Sequence, residues 1–403
     1  MNNPVSDVAA PDFYQYPSKP LSSAACEGEF VHLLWPDGAK LACHRFWLRE
    51  NAVGDGGIDL ATRECTLDPA DLTDDIAVSS AVIDDMGNLV IAWAHDGQRS
   101  IFHGGWLRHV ADNEHRPSSW TPQAVLWTPE SMGDIPRVDA TLALESDDVV
   151  LSLLNHLLCS GACVLEQAPT HEGYLLELAA RIGPVRDSNF GMLWDVKADV
   201  ELAGDSKTNS TANTGLRLGP HSDLPTREIP PGFQFLHCLI NEADGGESTL
   251  TDGAALAEAL ERDFPEEFEL LTTRHWIFFN RGPGIDHRWS APIIDYLPGS
   301  DLPTIRAFYP VRAFPAMSLE DVSRCYDALR LFHRMANQPE FELKFRLRAG
   351  DIMCFDNRRV LHGRDAFTGA GKRHLQGVYI DRDEIMSRCR ALNRRAGLHA
   401  DGI

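Results

Sequence analysis

Short apolar runs that meet at glycine-containing tight turns have few folds open to them other than antiparallel hairpins. This chain repeats that pattern between Phe30 and Val110. FVHLLW leads through Pro36-Asp37-Gly38 into AKLACHRF, SSAVIDD turns at Met86-Gly87-Asn88 into LVIAWA, and another turn follows at Asp96-Gly97. The expectation is a small antiparallel β domain over 29–110, preceded by a Pro-, Ser- and Ala-rich arm at 1–28. A linker at 111–137 carries Pro117, Pro122, Pro129 and Pro136. In a chain of 403 residues this leaves a larger unit over 138–403, long enough to bury its own core without disulfides.

In that unit Ser146 opens a predicted helix with Val149, Val150, Leu153, Leu154, Leu157 and Leu158 on its apolar side, ended by Gly161. A second is predicted from about Thr170 to Ile182, stopping at Gly183. Ser318-Leu-Glu-Asp321 has the form of a capping box, opening a helix that ends near Ala336. GFQFLHCLI, FELKFRL, DIMCFD and HLQGVYI read as strands, and FELKFRL alternates as a half-buried strand should. The fold class is α+β. The chain has neither GxGxxG nor GxxxxGK[ST], which argues against a nucleotide-binding α/β sheet.

Lys and Arg total 37 against 59 Asp and Glu, a formal charge of −22. Nucleic acid and anionic membranes need a basic face, so neither is expected as a partner. A small cation is steered toward such a surface. No run approaches the ~20 apolar residues of a membrane span. MNNPVSDVAAPDFYQYPSK lacks the basic start and apolar core of a secretory signal. Nine cysteines without CxxC spacing read as reduced thiols, and the expected location is the cytoplasm.

The residues that carry chemistry are His221-Ser-Asp223 and, far downstream, His362 in VLHGR. On a strand, residues at i and i+2 share a face, so one HxD offers two ligands from one edge. A third ligand from a distant strand gives the 2-His-1-carboxylate set of non-haem Fe(II) oxygenases, with positions left open for a chelating co-substrate and dioxygen. Arg373, just before a predicted strand, is placed to clamp a carboxylate.

The HxD lies in GPHSDLP and is followed by HCL, GGEST, GDIMCFDNRRVLHGR and RH. In that order and spacing the set resembles the Fe(II)/2-oxoglutarate dioxygenases of the taurine dioxygenase superfamily, and more closely the γ-butyrobetaine hydroxylase and trimethyllysine hydroxylase branch. The likeness runs from FWLREN to DRDEIMSRCRAL, most of residues 30 to 395. It implies a double-stranded β-helix (jelly-roll) core behind the small N-terminal domain. It also implies His221, Asp223 and His362 as iron ligands, Arg373 on the far carboxylate of 2-oxoglutarate, and Ser248 beside the co-substrate.

The family's N-terminal domain usually carries a structural zinc. Here Ala52, Gly54, Gly57 and Gln98 stand where its ligands would be, so no zinc is expected. Adjacent Cys43 and His44, with Cys65, cannot easily give tetrahedral geometry. Relatives hold a trimethylammonium group in an aromatic cage, a group that has no N–H to donate and is bound by cation–π attraction. Phe190, Trp194 and Tyr379 match cage positions, while a fourth falls near Ala212. At the anion end Asn209 matches an asparagine of the relatives, with Asn213 close by. The second asparagine segment is replaced by IRAFYPVRAF, which brings Tyr309 and Arg312 instead. Arginine in place of neutral amides suits a larger or doubly charged anion. Arg288 and Arg306 are further candidates for the anion end, though each reads first as a surface or structural arginine. The expected substrate is a small trimethylammonio zwitterion, first 2-(trimethylammonio)ethylphosphonate hydroxylated next to phosphorus, with γ-butyrobetaine, which would give carnitine, as the alternative. A zinc hydrolase would have no need of Arg373 or a cage. A non-catalytic quaternary-amine binder would have no need of the triad. A homodimer is left open.

Overall fold

The computed structural model describes residues 8–54, 56–114, 122–198, 213–282, 284–298, 300–307, 311–368 and 371–395. The chain divides into two compact units, Met1–Trp120 and Thr121–Ile403. Among the described residues no helix is long and apolar enough to cross a membrane.

The first unit holds two three-stranded antiparallel sheets, Ser23–Glu27 with Phe30–Leu34 and Lys40–His44, and Val78–Ile83 with Leu89–Trp93 and Arg99–Phe102. Gly38, Gly87 and Gly97 sit at the predicted turns with φ of 90°, 81° and 69°, conformations that side chains resist. Leu89, Ile91 and Trp93 alternate into a core shared with Val31, Leu33, Leu48, Phe102 and Trp106. Two helices depart from the all-strand expectation. AKLACHRF stops being a strand at His44, whose Nδ1 accepts the Phe46 N–H and opens helix Arg45–Glu50. His103 opens Gly104–His109 in the same way, accepting from Gly105 and Trp106. Histidine is outside the usual set of N-cap residues, so neither start shows in the sequence. Cys43 is buried in the apolar core, and burial pushes its thiol up to about 12.

The second unit is built on two sheets. The six-stranded sheet runs in the order Arg137–Asp139, Ala162–Glu166, Ile352–Asp356, Phe233–Asn241, Arg373–Ile380, Trp194–Ala198. The four-stranded sheet runs Leu218–His221, Val360–Arg364, Ser248–Asp252, Leu343–Phe345. All these pairings are antiparallel except the first, which is parallel. Val164, Leu236, Cys238, Leu250, Met353, Phe355, Val360 and Leu375 come from both sheets and form one core, the double-stranded β-helix. On the other face of the larger sheet, Phe233, Phe235, Cys354 and Val378 pack under helices Asp147–Cys159, Tyr174–Ala180 and Arg382–Arg395. A strand covered on both faces reads as a continuous apolar run, which is why GFQFLHCLI shows little alternation.

Some elements are shorter than expected. The helix expected from Thr170 starts at Tyr174, after Gly173 in the left-handed region, and ends at Ala180. Only Leu343–Phe345 of FELKFRL pairs, and Arg346 beyond it donates to the Ala243 carbonyl. Ser318 does precede helix Leu319–Ala336, but its hydroxyl donates to Asp321 and makes no bond to the helix backbone. Helices Gly253–Asp263 and Pro265–Thr273 were not expected. The division of the chain falls inside 111–137, yet Trp127 and Ile135 are buried in the β-helix core.

A buried ion pair ties this core together. Arg359 meets both oxygens of Asp252, at 3.0 and 2.6 Å, and also donates to the carbonyls of Cys159 and Val125. Asp252 in turn accepts from the backbone of Trp127 and caps helix Gly253–Asp263 through Ala254. Removing one partner strands the other charge, so Arg359→Ala is expected to cost about 3–5 kcal/mol, read as a lower urea midpoint.

Candidate metal centre and co-substrate pocket

His221 ends the Leu218–His221 strand and lies directly opposite His362 in the ladder. Their ring centroids are 4.1 Å apart. The sequence expectation put Asp223 on the same strand; instead the strand stops at His221, and Asp223 lies in the loop beyond it. Its carboxylate still reaches the histidines, with Oδ1 3.5 Å from His221 Nε2 and 3.9 Å from His362 Nε2. Among the described residues this is the one cluster of three His, Cys, Asp or Glu side chains whose ligand atoms all lie within 4.8 Å of each other.

Protonation states suit a metal. His221 Nδ1 donates to the Gly219 carbonyl at 2.9 Å, which turns Nε2 toward the centre. Burial, with His221 alongside, pushes the His362 pKa down to about 3, so its ring is a neutral ligand. Burial opposes charge on Asp223, but its polar partners, the Tyr379 hydroxyl among them, outweigh it, and the carboxyl titrates below the ordinary range. Two imidazoles and one carboxylate on one side of an open pocket are a donor set that fits Fe(II).

The pocket in front of the triad is lined by Trp194, Ser248, Met353, Arg364 and Arg373, among others. Arg373 is the first residue of its strand, not the residue before it, and it is buried. Its Nε has no hydrogen-bond partner among the described residues. A guanidinium left so is costly unless an anion meets it. Ser248 opens its strand opposite Arg364. Sequence reasoning missed Arg364, although its i+2 spacing from His362 on a strand places both on one face. Arg364 donates to the Thr214 carbonyl, and burial beside Arg373 pushes its pKa down to about 10.

Beside the triad the aromatics form a chain. Tyr379 is fully buried, Trp194 lies 5.4 Å from it by centroid, and Phe190 lies 6.3 Å from Trp194 and is 47% exposed. The Tyr379 hydroxyl donates to Asp223 Oδ2 at 2.7 Å. Burial and that carboxylate raise its pKa well above the usual value, so it stays a donor. Asn213 is half-buried, with its Oδ1 unpartnered among the described residues. Asn209, Ala212 and Tyr309 lie outside the described residues, as does the side chain of Arg312, which begins strand Arg312–Pro315. Arg288 is exposed and pairs with Asp286. Arg306 is wholly buried, pairs with Asp295 and donates to the carbonyls of Pro225, Arg227 and Glu228, holding the loop after Asp223.

A family model described as taurine catabolism dioxygenase TauD, TfdA family matches residues 127–379. The chain is 39% identical over 391 residues to the gamma-butyrobetaine dioxygenase of Pseudomonas sp. (strain AK-1), covering 96% of this chain and 100% of that one. It is 30% identical over 359 residues to the mitochondrial trimethyllysine dioxygenase of Bos taurus, covering 87% and 82%. Among solved structures it is similar to AAD-2 in complex with Mn(II) and N-oxalylglycine, with a TM-score of 0.49, 19% identity and coverage of 60% of this chain and 93% of that one. A putative alpha-ketoglutarate-dependent taurine dioxygenase from Burkholderia xenovorans gives 0.47, 17%, 64% and 91%.

Proposed function

This chain belongs to the taurine catabolism dioxygenase TauD, TfdA family, and from that premise we propose that it hydroxylates a small trimethylammonio zwitterion. It is an Fe(II)- and 2-oxoglutarate-dependent dioxygenase. The observation that carries the substrate reading is the continuous aromatic chain Phe190–Trp194–Tyr379, which ends in a hydrogen bond to Asp223. An ammonium without N–H groups is bound by such a wall and by little else.

In this reading His221, Asp223 and His362 hold the iron. Iron and 2-oxoglutarate together supply the oxidising chemistry, in which dioxygen is spent on hydroxylating a C–H bond and on decarboxylating the co-substrate to succinate. Arg373, with Ser248, orients the far carboxylate of 2-oxoglutarate. Leu236, Met353 and Leu375 line the pocket with apolar surface and keep bulk water from it. The aromatic wall chooses the reacting carbon by holding it in place, not by its reactivity.

γ-Butyrobetaine is the first reading of the substrate, supported by full-length similarity to a gamma-butyrobetaine dioxygenase. The trimethylammonio phosphonate is the second, favoured by IRAFYPVRAF, where Arg312 stands in a segment expected to meet the anion. Oxygen uptake and succinate release, measured with both compounds and with trimethyllysine, decide between them; release that none of the three stimulates would sink the proposal. Trp194→Ala is expected to weaken substrate binding about tenfold or more, from a cation–π term of up to ~2 kcal/mol. A tert-butyl analogue, which keeps the shape without the charge, should lose far less. Arg312→Ala should slow a phosphonate more than a carboxylate, and equal slowing would assign Arg312 a structural role.

A further inference from the structure

We propose that Asn357 is a positioning residue that presents Asp223 to the metal, with Tyr379 fixing which carboxylate oxygen faces it. The inference rests on the metal centre proposed above. Asp223 needs such support because it lies past the end of its strand, where no ladder partner meets its backbone. The next residue, Leu224, has a φ of 52°, a left-handed turn that a side chain resists. A loop of this kind does not hold a ligand in place by itself.

Asn357 supplies what the ladder lacks. Its side chain is wholly buried in the turn between strands Ile352–Asp356 and Val360–Arg364. Its Oδ1 accepts the Asp223 N–H at 2.7 Å, and its Nδ2 donates to the Asp223 carbonyl at 3.1 Å. One amide therefore satisfies both backbone groups of one residue, as a neighbouring strand would. The same Nδ2 donates to the Pro231 carbonyl at 3.2 Å, and the Asn357 backbone N–H donates to Gly232, which closes the loop from both ends. The strand that follows carries His362, so one turn fixes the spacing between two of the three ligands.

Rotation of the carboxylate is then set by Tyr379, which binds Oδ2 at 2.7 Å. That leaves Oδ1 turned toward both histidines. Ligation through one oxygen keeps a position free for co-substrate or dioxygen. Groups that orient a ligand in this way are typically worth about 10–100-fold in metal affinity.

The test is anaerobic titration of the full chain with Co(II), followed by its visible absorption, alongside thermal melting without metal. Asn357→Ala is expected to weaken Co(II) binding about tenfold or more and to alter the bands. Asn357→Asp keeps the acceptor for the Asp223 N–H but loses both donated bonds, and is expected to fall between. Tyr379→Phe keeps the ring beside Trp194 but frees Oδ2, so the bands should change with a smaller loss of affinity. If Asn357→Ala does not fold, Asn357→Asp and Tyr379→Phe decide. Variants that melt earlier yet bind Co(II) with wild-type affinity and spectrum would reduce Asn357 to a loop tie and overturn the proposal. Asp223→Ala separates this from failure of the metal centre itself: if it too binds Co(II) normally, the centre is elsewhere.

Discussion

Asp223→Ala and His221→Ala are each expected to abolish 2-oxoglutarate turnover and most iron binding while leaving the fold intact. The cluster has three protein donors and, among the described residues, no further His, Cys, Asp or Glu close enough to replace one. Losing an imidazole removes a strong donor; losing the carboxylate also removes the negative charge that the metal ion needs. The fold should survive because Asn357 grips the Asp223 backbone, which alanine retains. What Asp223→Ala strands is the Tyr379 hydroxyl, a cost of about 1–3 kcal/mol for an unsatisfied buried group. Succinate yield, iron content and far-UV circular dichroism measured on one preparation check all parts. Near-normal succinate from either variant would remove these residues from the centre.

The second large effect is expected at Arg373. Its guanidinium is buried at the pocket wall, with Nε unpartnered among the described residues, so the protein carries a charge that a bound dianion would meet. Truncating one side of a buried, hydrogen-bonded charge pair costs about 2–5 kcal/mol, or roughly 30- to several-thousand-fold. Arg373→Ala should therefore raise the KM for 2-oxoglutarate by about a hundredfold. Losses at saturating co-substrate should be smaller, since the iron ligands are untouched. Arg364 in the same pocket keeps some attraction for the anion, which argues against complete loss. Arg373→Lys should recover part of the affinity, because it restores a point charge without the planar fork. An unchanged KM would show that the co-substrate is anchored elsewhere.

The sequence makes some of this legible and hides the rest for physical reasons. Glycine turns announce the hairpins at Gly38, Gly87 and Gly97 because positive φ is a local demand met by a local residue. His221, His362 and Arg373 show themselves through motif spacing, but the pairing of Leu218–His221 with Val360–Arg364 joins segments that no local pattern connects. The β-helix therefore enters by resemblance alone. Asp223 is readable as a ligand type and not as a position, since nothing in GPHSDLP says that the strand stops at His221. Arg364 hides in plain view, two residues from His362, because arginines on strands are usually solvated. The histidine-capped helices are hidden by the rarity of that cap.

Tyr379 joins two duties in one side chain: its ring lies against Trp194, and its hydroxyl holds a carboxylate beside the histidines. No other amino acid offers both an aromatic face and a phenolic donor. On the proposed reading, a descendant that exchanged Tyr379 to accept a different cation would release the Asp223 carboxylate in the same step. Arg306 and Ala307 are tied to the same place, since Arg306 holds the loop after Asp223 and the Ala307 carbonyl accepts from Ser222. An inherited change at Tyr379 or at Arg306 therefore reaches Asp223 as well.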